Sequence, residues 1–232
     1  VYNGVAVETR AYGMNNLGDM VGWARAEDNM GHGWVYTPET GTVDLHLLIS
    51  PDGRVREAVD INDLGQITGW YQPPSGPTKG FRYTLQTGKF EVLDPPGEFP
   101  EPFVEVRAIN NLGDVVGDVF SAVSGNRYAC LWPAGQATAI LLFGDRLSEA
   151  GDINDLGEIT GSVQLDNGEF HAFHCTVGAD GELVEFLDLG VLGKSTSGAK
   201  YSQGNAINKF RQVVGESTAN NVVAGRAFRY TD

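Results

Sequence analysis

Few cysteines, few basic residues and no long apolar run: each shortage removes a class of protein. Two cysteines, Cys130 and Cys175, among 232 residues are too few for a disulfide framework. Sixteen Lys and Arg stand against 30 Asp and Glu, a formal charge of −14, whereas a nucleic-acid partner calls for a basic surface. The acidic balance predicts a soluble monomer, with affinity for cations or neutral sugars as the sharper alternative. The longest apolar run, residues 137–143, is strand-sized, so no membrane span is expected. No Cys/His set has zinc spacing, and no nucleophile elbow or phosphate loop is present, so neither metal nor cofactor is expected. The first residue is Val1 rather than Met, which fits removal of an N-terminal segment such as a secretory signal.

What is abundant is glycine, 31 residues, and it falls in register. Five segments align: Met14-Asn-Asn-Leu-Gly18, Ile61-Asn-Asp-Leu-Gly65, Ile109-Asn-Asn-Leu-Gly113, Ile153-Asn-Asp-Leu-Gly157 and the degenerate Ile207-Asn-Lys-Phe-Arg211. A second glycine follows each apolar anchor, at Gly22, Gly69, Gly117, Gly161 and Gly215. Further on stands a small residue, then usually an aromatic: Gly33-Trp34, Gly80-Phe81, Ala129-Cys130, Ala172-Phe173 and Ala227-Phe228. Such internal periodicity is the mark of a repeat architecture.

Each unit reads as four short strands, a to d. Strand a ends in the anchor, and the Asn-Asx-Leu-Gly segment is a tight turn in which Asx side chains bond their own backbone. Strand b carries the second glycine and strand c the aromatic step. Strand d is expected at Thr42–Leu48, Phe90–Leu93, 137–143 and Val184–Leu189. No helical periodicity competes. The units, starting near residues 11, 58, 106, 150 and 204, predict one all-β domain over 1–232, a five-bladed β-propeller of four antiparallel strands per blade. The fifth copy lacks a strand d, and Gly4-Val-Ala-Val-Glu8 is the spare strand expected to close the ring by pairing with the last blade. An open solenoid is the rival.

The recurring Ile-Asn-Asx-Leu-Gly-x-Ile-x-Gly followed by Ala-Phe, with His171-Ala-Phe173, resembles the HAF-type bacterial extracellular repeats over essentially the whole chain. The resemblance implies an exported or cell-surface bacterial protein of propeller-like repeats, with no chemistry to transfer to particular residues. The departures are Cys130 in copy three and Lys209-Phe-Arg211 in copy five, the latter implying a looser turn. The architecture also looks like that of the tachylectin-type five-bladed lectins, by fold analogy alone.

Residues repeated in every copy read as scaffold, so the candidate sites lie where copies differ. Asn15, Asn62, Asn110, Asn154 and Asn208 are expected to be turn formers. The turns at 60–65 and 152–157 lack the ligand pattern of a calcium loop. Asp60 and Asp152 stand on strand a, where the other copies have Gly13, Ala108 and Ala206. They are either the weak candidate carboxylate pair of a glycosidase or acceptors for backbone amides between blades. After the strand-b glycine come Trp23, Trp70, Asp118, Ser162 and Glu216. With Tyr71 and with Tyr201 on the long 191–203 connection, which also holds Lys194, Ser195 and Lys200, they predict a rim that binds a carbohydrate or protein ligand. The alternatives are a carbohydrate-active enzyme and a purely structural module of a larger surface protein. Cys130 and Cys175 are expected to be buried free thiols.

Overall fold

The computed structural model describes residues 6–231 except 27–28, 50–51, 98, 100–101, 122, 179–180, 195, 197, 199 and 221–224. Five separate antiparallel sheets follow one another along the chain. The first holds β1 (Ala6–Met14), β2 (Met20–Ala26), β3 (Gly31–Thr37) and β4 (Gly41–Asp44), followed by a short helix α1 (Leu45–Ile49). The second holds β5 (Arg54–Ile61), β6 (Gln66–Gln72), β7 (Lys79–Thr84) and β8 (Lys89–Leu93). The third is β9 (Pro102–Ile109), β10 (Val115–Ser121), β11 (Arg127–Trp132) and β12 (Ile140–Leu141). The fourth is β13 (Ser148–Ile153), β14 (Glu158–Gln164), β15 (Phe170–Val177) and β16 (Leu183–Asp188). The fifth has three strands among the described residues, β17 (Ser202–Ile207), β18 (Val213–Ser217) and β19 (Arg226–Tyr230).

The repeat explains the sheets residue by residue. In four units the turn glycine takes φ of 65° to 89° (Gly18, Gly65, Gly113, Gly157), where a side chain is disfavoured. Asn62 Oδ1 accepts the amides of Leu64 and Gln66 at 3.0 and 2.9 Å, an Asx turn that recurs at every anchor Asn. The strand-b glycine answers to a different constraint. A Cβ there would lie 1.9 to 2.2 Å from the carbonyl oxygen of Arg10, Glu57, Glu105, Glu149 or Gln203 on strand a. The close approach goes with a β-bulge: Tyr12, Val59, Arg107, Gly151 and Asn205 are each skipped in the pairing of the first two strands. A bulge bends its strand and re-aims the extra residue.

Sheets pack through their apolar faces, with Phe81, Trp132 and Phe173 among the largest buried side chains; burying one such ring is worth about 1.5–3 kcal/mol. A ladder of Asn side chains ties each sheet to the next, and an arginine adds a second tie between the second and third sheets. Asn15, Asn62, Asn110 and Asn154 donate Nδ2 to the backbone carbonyls of Asn62, Asn110, Asn154 and Asn208 at 3.0, 2.8, 3.1 and 3.0 Å. Buried Arg82 pairs with Glu91 at 3.0 Å and caps the carbonyls of Gly113, Pro133 and Gln136 in the third unit.

Four expectations are corrected. The closing strand does not form as expected: Ala6 and Glu8 belong to β1 and pair with Ala26 and Arg25 in the first sheet, while residues 4 and 5 lie outside the described residues. Glu8 binds Arg10 and Arg25 at 2.7 and 3.4 Å, so this polar stretch continues strand a instead of ending it. The expected strand over Thr42–Leu48 stops at Asp44 and passes into α1, whose His46 amide is capped by Asp44 Oδ1 at 2.8 Å. The expected strand at 137–143 shrinks to Ile140–Leu141. The turn of copy five is no looser than the others. Arg211 adopts φ of 60° in place of glycine, and Asn208 Oδ1 still accepts the amides of Phe210 and Gln212 at 2.9 and 3.1 Å.

Candidate functional site

The first strands of all five sheets meet at one cavity of about 490 Å³. The bulged residues Tyr12, Val59, Arg107, Gly151 and Asn205 all line it, together with Glu57, Asp60, Glu105 and Asp152. The bulge thus turns one residue per unit toward the axis and gives a propeller-like arrangement. Four carboxylates face one guanidinium there, so the cavity is acidic.

A second hollow, of about 210 Å³, opens beside it and is walled by Trp23, Trp70, Phe103 and Phe120, with Arg56, Glu57, Thr78 and Glu105. Trp70, Glu57 and Glu105 border both spaces, so the aromatic slot and the acidic cavity adjoin. Trp23 and Trp70 stand at the same position of adjacent units, and both rings wall the one slot. Trp23 lies under the Arg10 guanidinium, 5.4 Å from the ring centre. Trp70 donates Nε1 to the Val106 carbonyl at 3.4 Å. Phe103 and Phe120 stack at 4.9 Å, with Arg127 4.9 Å from the Phe120 ring on a bond to Glu105 at 2.6 Å. Aromatic faces beside fixed carboxylates suit a ligand with both apolar and hydroxyl-bearing surfaces.

Asp60 accepts the amides of its neighbour Ile61 at 2.9 Å and of Ile109 in the next sheet at 3.0 Å. Asp152 does the same with Ile153 at 2.8 Å and Ile207 at 2.9 Å. Burial pushes the Asp60 carboxyl up to about 6, the amides oppose the shift, and Asp152 adds to it. Asp152 and Glu57 are raised by burial as well.

The other expected residues divide. Tyr71 does not reach the rim. It points to the opposite face of its strand from Trp70, is buried in the core, and packs edge-on against Phe90 at 5.3 Å. Asp118 holds the Trp23/Trp70 position of the third sheet but is fully buried, accepting the Ala150 amide at 2.8 Å and pairing with Arg107 at 3.1 Å and Arg127 at 3.6 Å. Desolvation raises its carboxyl to about 7 against the pull of both arginines. Tyr201 donates its hydroxyl to Gln203; burial lifts it to about 12, reinforced by Glu149 and Glu216. Glu216 is exposed beside it. Ser195 of the long connection lies outside the described residues.

Glu57, Glu105, Arg107, Phe103 and Phe120 were not singled out by the sequence. Arg107 stands at a position that differs in every copy, Tyr12, Val59, Arg107, Gly151 and Asn205, and that variability was the available signal. Glu57 and Glu105 recur with Glu149 and so read as scaffold. Larger clefts of about 810 and 600 Å³ border Met30, His46 and Arg54, and Leu142, Phe143 and Phe186; neither holds an expected site residue. Among the described residues no group of three or more His, Cys, Asp or Glu side chains is placed to hold a metal ion, and no helix is long and apolar enough to cross a membrane.

No protein-family profile matches the chain, and no curated protein matches it in sequence. Solved structures do match in fold. A puromycin hydrolase S511A mutant complexed with PGG superposes with a TM-score of 0.54 at 10% identity, covering 91% of this chain and 36% of that one. TolB from Acinetobacter baumannii superposes with a TM-score of 0.50 at 8% identity, covering 95% of this chain and 56% of its own. The β-propeller domain of the Trilobed protease from Pyrococcus furiosus has a TM-score of 0.43 at 11% identity, with 97% and 81% covered. At such identities the likeness is one of fold alone: the chain is an all-β array of five antiparallel sheets whose first strands share one cavity.

Proposed function

We propose that the chain is a non-enzymatic binding module, a propeller-like domain that takes a carbohydrate in the Trp23/Trp70 slot. The supporting observation is that Trp23, Trp70, Phe103 and Phe120 share one slot, which adjoins an acidic cavity and has Glu57 and Glu105 in common with it. A sugar ring stacks its C–H face on indole while its hydroxyls donate to carboxylates. Export from a bacterial cell as a monomer is part of the same proposal, supported by the resemblance to HAF-type repeats and by the charge of −14. The test is binding to a panel of immobilised glycans by the wild type and by Trp23→Ala and Trp70→Ala. A purely structural module binds none.

A second reading, a carbohydrate-active enzyme, draws support from Asp60, raised to about 6 with Asp152 in the same cavity. An elevated carboxyl beside a second one is the arrangement of a general acid with its partner. The four backbone amides held by these two side chains weigh against it. Release of reducing ends from a polysaccharide, lost in Asp60→Asn, would favour the enzyme.

A further inference from the structure

All four junctions in the array join sheets consecutive in sequence, and all are built alike. On the outgoing face the residue before the strand-b glycine, Val21, Thr68, Val116 or Thr160, is fully buried. On the incoming face Ile61, Ile109, Ile153 or Ile207 is at most 7% exposed. The Asn-to-carbonyl ladder crosses each junction at the turn end.

At the two ends of the array the same positions stand open. Val214, the outgoing residue of the fifth sheet, is 44% exposed, and Met14, the incoming anchor of the first, is 69% exposed. Ala227 and Ala11 are exposed too, where their counterparts Ala172 and Ala58 are buried. The ladder stops with them. Asn208 Nδ2 bonds Gln212 in its own turn at 2.8 Å, and among the described residues the Asn15 carbonyl receives no Asn side chain. Tyr12 of the first sheet and Asn205 of the fifth line the same axial cavity, so the sheets that carry the two open faces come round to one axis.

We propose that the two open faces flank a gap, and that this gap is a docking site for one further unit of the same four-stranded repeat, continuous with the chain that carries the other five. Every unit has one incoming and one outgoing face, so a single addition covers both Val214 and Met14 and adds two rungs to the Asn ladder. Continuity follows from the existing junctions, whose ladder bonds span 44 to 54 residues. Large apolar residues left open at positions buried in every sister junction mark a surface that a partner covers.

The test uses thiol labelling of Val214→Cys and Met14→Cys, made separately, with the buried Cys130 and Cys175 as the unreactive baseline. Each variant is compared with the same chain extended by a copy of residues 54–101, joined after residue 232 by a flexible linker. Both reporters should label rapidly in the five-unit chain at all protein concentrations and slow by about tenfold or more in the extended chain. An extension carrying Ile61→Asp should restore rapid labelling of the Val214 reporter. Rapid labelling of both reporters in the extended chain overturns the proposal. Slow labelling in the five-unit chain also overturns it: closure of the array on itself if at every concentration, docking of a second copy if at high concentration only. Protection of the Val214 reporter alone overturns the single-unit gap.

Discussion

Asp60 in the second sheet accepts the backbone amide of Ile109 in the third at 3.0 Å, and the bond makes a cavity-lining carboxylate part of the scaffold. Its carboxyl, raised to about 6, and that of Asp118, raised to about 7, couple stability to pH. A folded-state value above the unfolded one means that the native state binds more protons in between, so stability falls as pH rises from about 4 to about 7. Asp63, Glu91 and Glu169, lowered by their partners, act the other way, and their contribution is lost only as pH falls through their folded values. The stability of the wild type measured by urea unfolding should therefore fall by on the order of 5 kcal/mol between pH 4 and pH 7. In Asp118→Asn the slope should be visibly shallower. Parallel curves for the two proteins would contradict the assignment.

The Asn ladder carries unequal weight along the chain. Asn110 is buried, with Oδ1 holding the amides of Leu112 and Asp114 and Nδ2 reaching Asp114 and the Asn154 carbonyl. Asn208 makes the same turn but is exposed and, among the described residues, has no onward rung. Asn110→Ala should cost about 3 kcal/mol, since buried partners are left unsatisfied, and Asn208→Ala less than about 1 kcal/mol, since water replaces the side chain. Equal losses in chemical denaturation would show that the ladder does not matter.

Cys130 and Cys175 are free and buried, and burial raises both thiols well above their ordinary range, Cys175 to about 12. Neither should react with a thiol reagent in the native state, because the thiolate is the reactive form. Denaturation without reductant should release two reactive groups per chain. A count near zero would mean that they are bridged.

The turns were legible in the sequence because Asn-Asx-Leu-Gly states its own conformation, and five copies in register identify the sheets. The bulge was not. Strict alternation sends Asp60 and Asn62 to one face, but skipping Val59 shifts everything upstream, and no residue type announces it. α1 was missed because Leu45–Ile49 is too short to show a helical period. Trp23 and Trp70 stand where the copies differ, and so does Arg107. Tyr71 was misplaced for a simple reason: the neighbour of a rim residue on a strand faces the other way.

The central claim, a carbohydrate slot between Trp23 and Trp70, is tested most directly by glycan-panel binding of four proteins. These are the wild type, Trp23→Ala, Trp70→Ala, and Leu156→Ala, which alters an exposed turn residue away from the slot. Binding by the wild type and Leu156→Ala, reduced about tenfold or more in both tryptophan variants that remain folded, is the expected result. A panel blank for the wild type, or binding unchanged in both tryptophan variants, would contradict it.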